Sequence, residues 1–184
     1  MVFTETPLIG AFVVDLERLE DDRGFFARSW CRREFDARGL NAELVQCNVS
    51  RNRLKGTLRG LHYQTAPYAE AKLVRCTRGA IFDVMLDLRP RSDTFLKYFG
   101  CTLSEDNHRA LYIPEGFGHG FLTLTEESEV FYQMSQYYQP DAARGLRWND
   151  PAFGIAWPEP VAMISDRDRS YPDFRADSPT ESTS

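Results

Sequence analysis

The 184-residue chain has no apolar run near the roughly 20 residues that a membrane-crossing helix requires. Its opening residues, MVFTETPLIG, show no basic start followed by an apolar stretch, so no secretory signal is read there and a cytoplasmic setting is expected. The four cysteines, Cys31, Cys47, Cys76 and Cys101, show no CxxC spacing. They read as buried, reduced thiols rather than a disulfide framework or a zinc site. There is no excess of positive charge. A net charge of −5 argues against nucleic-acid binding by bulk electrostatics, although a local basic pocket stays open. No GxSxG, P-loop or GxGxxG is present, which disfavours covalent hydrolase and dinucleotide redox chemistry. Histidine is scarce too: His62, His108 and His119 stand far apart, with no HxH or HxxxH pair, so no metal is expected.

What is present is a two-residue apolar period. It runs through residues 44–50, 80–88 and 130–138, and it is the signature of strands. In the second run Phe82, Val84, Leu86 and Leu88 share one face, with Ile81, Asp83, Met85 and Asp87 on the other. The third places Tyr132 and Tyr138 on one face. Glycines and prolines interrupt these runs at Gly56, Gly60, Gly79, Pro90, Gly100, Pro114 and Gly116. One helix is expected over WCRREFDARGL, with Ser29 as N-cap and Gly39 as its stop, and short helical turns near the C-terminus. Many short strands with regular turns predict an all-β jelly roll or barrel, as one domain over residues 1–175. The remaining residues, 176–184, are polar and have the composition of a disordered tail.

A lone histidine in a strand is ordinarily structural, and a tyrosine in an alternating strand is ordinarily core. On residue type alone, His62 in LRGLHYQ and His119 in PEGFGHGF are therefore candidates and nothing more, while His108 reads as a surface turn residue. Lys72 stands just before an apolar strand, where it can turn inward or snorkel. Arg23 and Arg59 each precede glycine, a setting that suits bidentate phosphate binding as well as an ordinary ion pair.

Taken in order, DDRGFF, Gln46-Cys-Asn48, GTLRGLHYQ, AKLVRC, FDVMLDLR, LYIPEGFGHGF, YQMSQYY, WNDP, IAWP and SDRD resemble the dTDP-4-dehydrorhamnose 3,5-epimerase family, from about Asp21 to Pro172. The resemblance implies a metal-free and cofactor-free cupin-type jelly roll, usually a homodimer whose N-terminal segment crosses to the neighbouring subunit. It also implies a nucleotide-diphospho-4-keto-6-deoxy sugar as substrate. His62 falls on the family's base, Tyr132 on its acid, Asp168 on the carboxylate that orients the base and Lys72 on the lysine beside the sugar oxygen. His119 matches a pocket residue. Arg23, Gln46, Asn48 and Arg59 match positions near the nucleotide and diphosphate. Phe26 and Tyr138 match aromatic positions there, and Arg167 stands where the family often has lysine. Inversion beside a carbonyl needs a base on one face and an acid on the other, with a cation near the enolate oxygen, and these residue types supply that set.

Two positions depart from the family. Arg28 replaces the acidic residue of FFxES, and Ala143 replaces a glutamate ahead of WND. Thymine offers an N3–H donor to a carboxylate, whereas cytosine offers an N3 acceptor to an arginine. A CDP-linked substrate is therefore an alternative, as is inversion at C3 or C5 alone. A sugar-nucleotide-binding module without turnover, or a metal-dependent oxygenase, is the reading from a different class.

Overall fold

A computed structural model describes residues 1–175; the expected tail, 176–184, lies outside the described residues. The elements follow in chain order as β1 (Val2–Glu5), β2 (Phe12–Asp15), β3 (Leu19–Asp21), β4 (Gly24–Phe26), α1 (Arg32–Asp36), β5 (Gln46–Asn52), β6 (Thr57–Gln64) and β7 (Lys72–Arg78). After them come β8 (Ala80–Asp87), β9 (Tyr98–Ser104), β10 (Ala110–Ile113), β11 (Phe117–Thr123), β12 (Ser128–Met134), β13 (Ala143–Gly145), β14 (Met163–Ile164) and α2 (Asp166–Arg169). One sheet runs β1-β2-β10-β7-β12-β5 and the other β13-β6-β11-β8-β9, with β14 joining β6 in parallel. The other pairings in both sheets are antiparallel. The all-β jelly roll with a few short helices, expected from the strand period, is the fold found.

Alternation decides what each face buries. Val74, Cys76 and Val130 of the first sheet meet Ile81, Met85, Phe117 and Phe121 of the second in one apolar layer between the sheets. The next residue along each strand faces outward and is covered as well. Leu73 and Tyr112 pack with Phe35 of α1, while Leu61, Val84 and Leu86 pack with Leu146 and Phe153 of the C-terminal stretch. The 80–88 pattern is therefore two buried faces, and the two aspartates on its Ile81 face are enclosed, each with no exposure.

Other expectations shift. The helix is shorter than its sequence pattern, starting from an N-cap at Cys31 that makes no side-chain capping bond. Ser29 lies two residues before that cap, and its carbonyl accepts from the Arg75 guanidinium at 3.0 Å. Gly39 follows the helix with φ +67°, a conformation that suits glycine at a stop. Strand β12 ends at Met134, so Tyr138 sits in a loop and not on the Tyr132 face. All four thiols are free, but Cys47 is exposed on the edge strand β5, contrary to the expectation of burial. Burial pushes the Cys76 thiol up to about 11 and the Cys101 thiol up to about 12, which keeps both unreactive.

Asp87 ties the end of β8 to the following turn. Its carboxylate accepts from Arg89 Nε (2.9 Å) and Nη2 (2.7 Å), Ser92 Oγ (2.5 Å) and Thr94 Oγ1 (2.6 Å). Burial pushes this carboxyl up, but the arginine and the two hydroxyls outweigh it and hold the pKa at about 2. A group depressed in the folded state stabilises above its unfolded pKa and loses that contribution as pH falls through the folded value. Between about pH 4 and pH 2, Asp87 should thus withdraw on the order of 2 kcal/mol of stability. Urea unfolding of wild type and Asp87→Asn at pH 7 and pH 2 checks this. The variant's loss between the two pH values should be smaller by about that amount, and equal losses would refute the assignment.

Candidate active site

His62 lies on β6 at a place where the strand is distorted. Gly60 has φ +119°, and a Cβ there would stand 2.5 Å from Gly120 Cα and 2.7 Å from the His119 carbonyl oxygen. Only two glycines allow β6 and β11 this approach, and the register shifts between His119 and Phe121 opposite them. The result sets His62 directly beside His119 on the neighbouring strand.

Each histidine is held by its own aspartate. His62 Nε2 is 2.7 Å from Asp168 Oδ1, and the Gly60 N–H donates to Asp168 Oδ2 at 3.2 Å. Asp168 reaches this position from α2, whose N-cap Ser165 accepts from the Asp168 N–H at 3.1 Å. Burial would push the Asp168 carboxyl up; the His62 ring, the Gly60 amide and the Ser165 hydroxyl outweigh that and hold it below the usual carboxylate range. An ionised Asp168 accepts from Nε2–H, which leaves the basic lone pair of His62 on Nδ1. The His62 side chain is 46% exposed, so the ring is open to a ligand.

His119 Nε2 is 2.5 Å from Asp83 Oδ1, with Asp83 fully enclosed and its Oδ2 without a partner among the described residues. Asp83 is absent from the sequence-derived site. Its signal was there, as a charged residue on the Ile81–Met85 face of an apolar strand, but nothing in the chain order tied it to His119.

The opposite sheet supplies Tyr132 and Lys72. Tyr132 packs against the inter-sheet layer, across the register from Asn48 on β5 and Val74 on β7. Burial raises its phenol above the ordinary value; the Arg59 cation lowers it and the Glu70 carboxylate raises it further. The group is a neutral hydroxyl at physiological pH. Lys72 opens β7, on the Val74 side of the strand, and its ammonium donates to Glu70 Oε1. Glu70 is a second residue the sequence reading omitted.

A polar rim adjoins these groups. Gln46 Nε2 donates to Asn48 Oδ1 (3.1 Å), the Tyr138 N–H donates to Gln46 Oε1 (3.1 Å), and Arg59 Nε donates to Asn52 Oδ1 (2.7 Å). Arg167 Nε donates to the Tyr171 hydroxyl at 2.8 Å, and the Tyr138 phenol, with Tyr171, raises the guanidinium's pKa. The expected nucleotide residues of the N-terminal arm are not brought here within one chain. Arg23 is 90% exposed and pairs with Asp21 at 2.5 Å, and Phe26 is 72% exposed on the β3–β4 hairpin. Arg28 pairs with Glu34 of α1 at 3.0 Å. A cavity of about 600 Å³ lies elsewhere, bounded by Trp148, Asp150, Trp157 and Glu159, and none of the His62 group lines it. Among the described residues no group of three or more His, Cys, Asp or Glu is placed to hold a metal ion.

The arrangement puts an imidazole paired with a carboxylate on one sheet, and a neutral phenol and a carboxylate-paired ammonium on the other. That is equipment for moving protons on and off carbon. Comparison with known proteins points the same way. The sequence model of a family described as dTDP-4-dehydrorhamnose 3,5-epimerase matches residues 5–176. A dTDP-4-dehydrorhamnose 3,5-epimerase of Shigella flexneri is 47% identical over 149 residues, covering 80% of this chain and 82% of that one. The crystal structure of the enzyme of that name from Elizabethkingia anophelis superposes with a TM-score of 0.92 at 37% identity, over 95% of this chain and 96% of that one. The one from Bacillus anthracis, solved with TDP and PPi bound, gives 0.90 at 41%, over 94% and 99%.

Proposed function

The chain belongs to the dTDP-4-dehydrorhamnose 3,5-epimerase family, and from that premise we propose how its own residues invert the carbons on either side of the keto group of a nucleotide-linked 4-keto-6-deoxy sugar. The observation that carries the reading is the His62–Asp168 dyad on one sheet with the neutral Tyr132 phenol on the other. Hydrogens at C3 and C5 are acidified by the C4 carbonyl. His62 Nδ1 removes one of them, and the imidazolium that forms is stabilised by ionised Asp168. Negative charge moves onto the C4 oxygen, where the Lys72 ammonium stabilises the enolate. Tyr132 then delivers its proton from the opposite face, and the carbon is inverted. Solvent carries the proton from His62 back to Tyr132. His119, fixed by Asp83 at the side of His62, lines the sugar pocket.

Gln46, Asn48, Arg59, Tyr138 and Arg167 are assigned to the nucleotide diphosphate, with Tyr138 available to stack on the base. Arg23, Phe26 and Arg28 are assigned through a homodimer, in which the exposed hairpin of one protomer reaches the other's rim. Support for this comes from the exposure of Leu19 and Phe26 on a two-stranded sheet that joins neither large sheet. The Arg28–Glu34 pair gives Arg28 a partner of its own, which favours a thymidine nucleotide over the cytidine alternative. The cytoplasm is proposed as its compartment.

Incubation with the dTDP-linked and the CDP-linked 4-keto-6-deoxy sugar in deuterated water tests the reading. Deuterium is expected at both C3 and C5 of the dTDP-linked sugar, with a slower reaction on the CDP-linked one. No incorporation from either would sink the epimerase reading; incorporation at one carbon would reduce it to a mono-epimerase.

A further inference from the structure

Glu70 and Lys72 form an ion pair that is poorly used as a structural element. Both side chains are enclosed, at 4% and 8% exposure, and burying two charges is costly unless their hydrogen-bonding capacity is filled. Here it is not. Glu70 Oε2 has no partner, and Lys72 Nζ donates to Glu70 alone, among the described residues. The pair is nonetheless held firmly. It sits at the end of the β6–β7 loop, where Gln64 Nε2 donates to the Tyr68 carbonyl (2.8 Å) and the Ala71 N–H donates to Ser135 Oγ (2.8 Å). Glu70 precedes the strand and meets the Lys72 ammonium directly, and its charge acts on the Tyr132 phenol, so the pair lies toward the interior that also holds Tyr132.

A fixed, buried donor and acceptor side by side, each with spare capacity, match a ligand that presents an acceptor and a donor on adjacent atoms. An α-hydroxy ketone does this. We propose that the Lys72–Glu70 pair binds the α-hydroxy ketone of the sugar as a unit, Lys72 donating to the C4 keto oxygen and Glu70 Oε2 accepting from the hydroxyl on C3. Glu70 is thereby a specificity-determining residue that selects sugars carrying the C3 hydroxyl. This rests on the epimerase reading above, because it takes the Lys72 ammonium to face the keto oxygen.

The test is a cycle of two enzymes and two substrates, read as deuterium incorporation at C5, a position both substrates keep. Wild type should process the 3-deoxy analogue about 10- to 100-fold less efficiently than the 3-hydroxy sugar, the effect of losing a hydrogen bond to a charged group. Glu70→Gln should shrink that penalty to about threefold or less, since the charged acceptor is gone. The wild-type penalty persisting in Glu70→Gln would overturn the proposal, and so would its absence from wild type, a result that needs no variant. If Glu70→Gln lacks a cooperative melting transition, Glu70→Asp takes its place, with the acceptor withdrawn by one methylene and the same shrinkage expected. No C5 exchange by wild type on the 3-hydroxy sugar would instead overturn the epimerase reading itself.

Discussion

His62→Asn should lose deuterium incorporation at C3 and at C5 together, with kcat/KM lower by about 10³- to 10⁴-fold. The joint loss is the informative part. One base serving both carbons predicts that neither exchange survives, whereas two bases would leave one intact. Asparagine is the better replacement because of what stands behind the ring. Asp168 is nearly enclosed and accepts from His62 and from the Gly60 amide. Truncation to alanine would strip a donor from a buried carboxylate, at a cost of about 1–3 kcal/mol, and would confuse lost chemistry with lost stability. An asparagine amide can still donate toward Asp168. Urea unfolding should therefore place His62→Asn within about 1 kcal/mol of wild type. Exchange at either carbon within tenfold of wild type would remove His62 from the role of base.

Tyr132→Phe should separate exchange from inversion. With the phenol gone, the enolate still forms on the His62 side and can be reprotonated only from that side, so deuterium enters with retention. Incorporation at a single carbon is expected within about tenfold of wild type, while formation of the inverted product falls by about 10²- to 10⁴-fold. Mass spectrometry measures the first quantity and the sugar's proton couplings the second. The hydroxyl makes no hydrogen bond among the described residues, so its removal leaves no buried partner stranded and the fold is expected to tolerate it. The raised pKa of Tyr132 has its own sign: the acid form persists past the ordinary tyrosine value near 10, so the alkaline limb of wild-type activity should not set in below it. Equal losses of exchange and inversion in Tyr132→Phe would mean that the phenol also takes part in proton removal.

Much of this was legible in the chain because the relevant information was local. Alternation in residues 80–88 and 130–138 is a property of neighbours in sequence, and it identified β8, the greater part of β12 and the Tyr132 face. His62, Tyr132, Lys72 and Asp168 were reached through motif order, which reports ancestry rather than geometry. What escaped depends on pairing between distant segments. Asp83 matters only because β8 lies against β11, and Glu70, although just two residues from Lys72, only because the packing around it leaves the pair enclosed. Tyr138 was misplaced because alternation continues past Met134 although the ladder stops there. Strands end where partners end, and partners are a tertiary matter. Arg23, Phe26 and Arg28 raise the same difficulty one level higher, since their proposed contacts belong to a second chain.

The dyad joins residues 106 positions apart, and the segment bearing Asp168 comes to β6 beside the short parallel pairing of Met163 and Ile164 with Thr57 and Leu58. During synthesis every strand of the two large sheets except β14 emerges before that segment does. Until it does, His62 and the Gly60 amide both lack the carboxylate that they share in the full fold. The pairing of His62 with its carboxylate therefore arrives after the strands that carry Lys72, His119 and Tyr132. A copy clipped before Asp168 would present His62 without that partner, even where its strands pair as they do here.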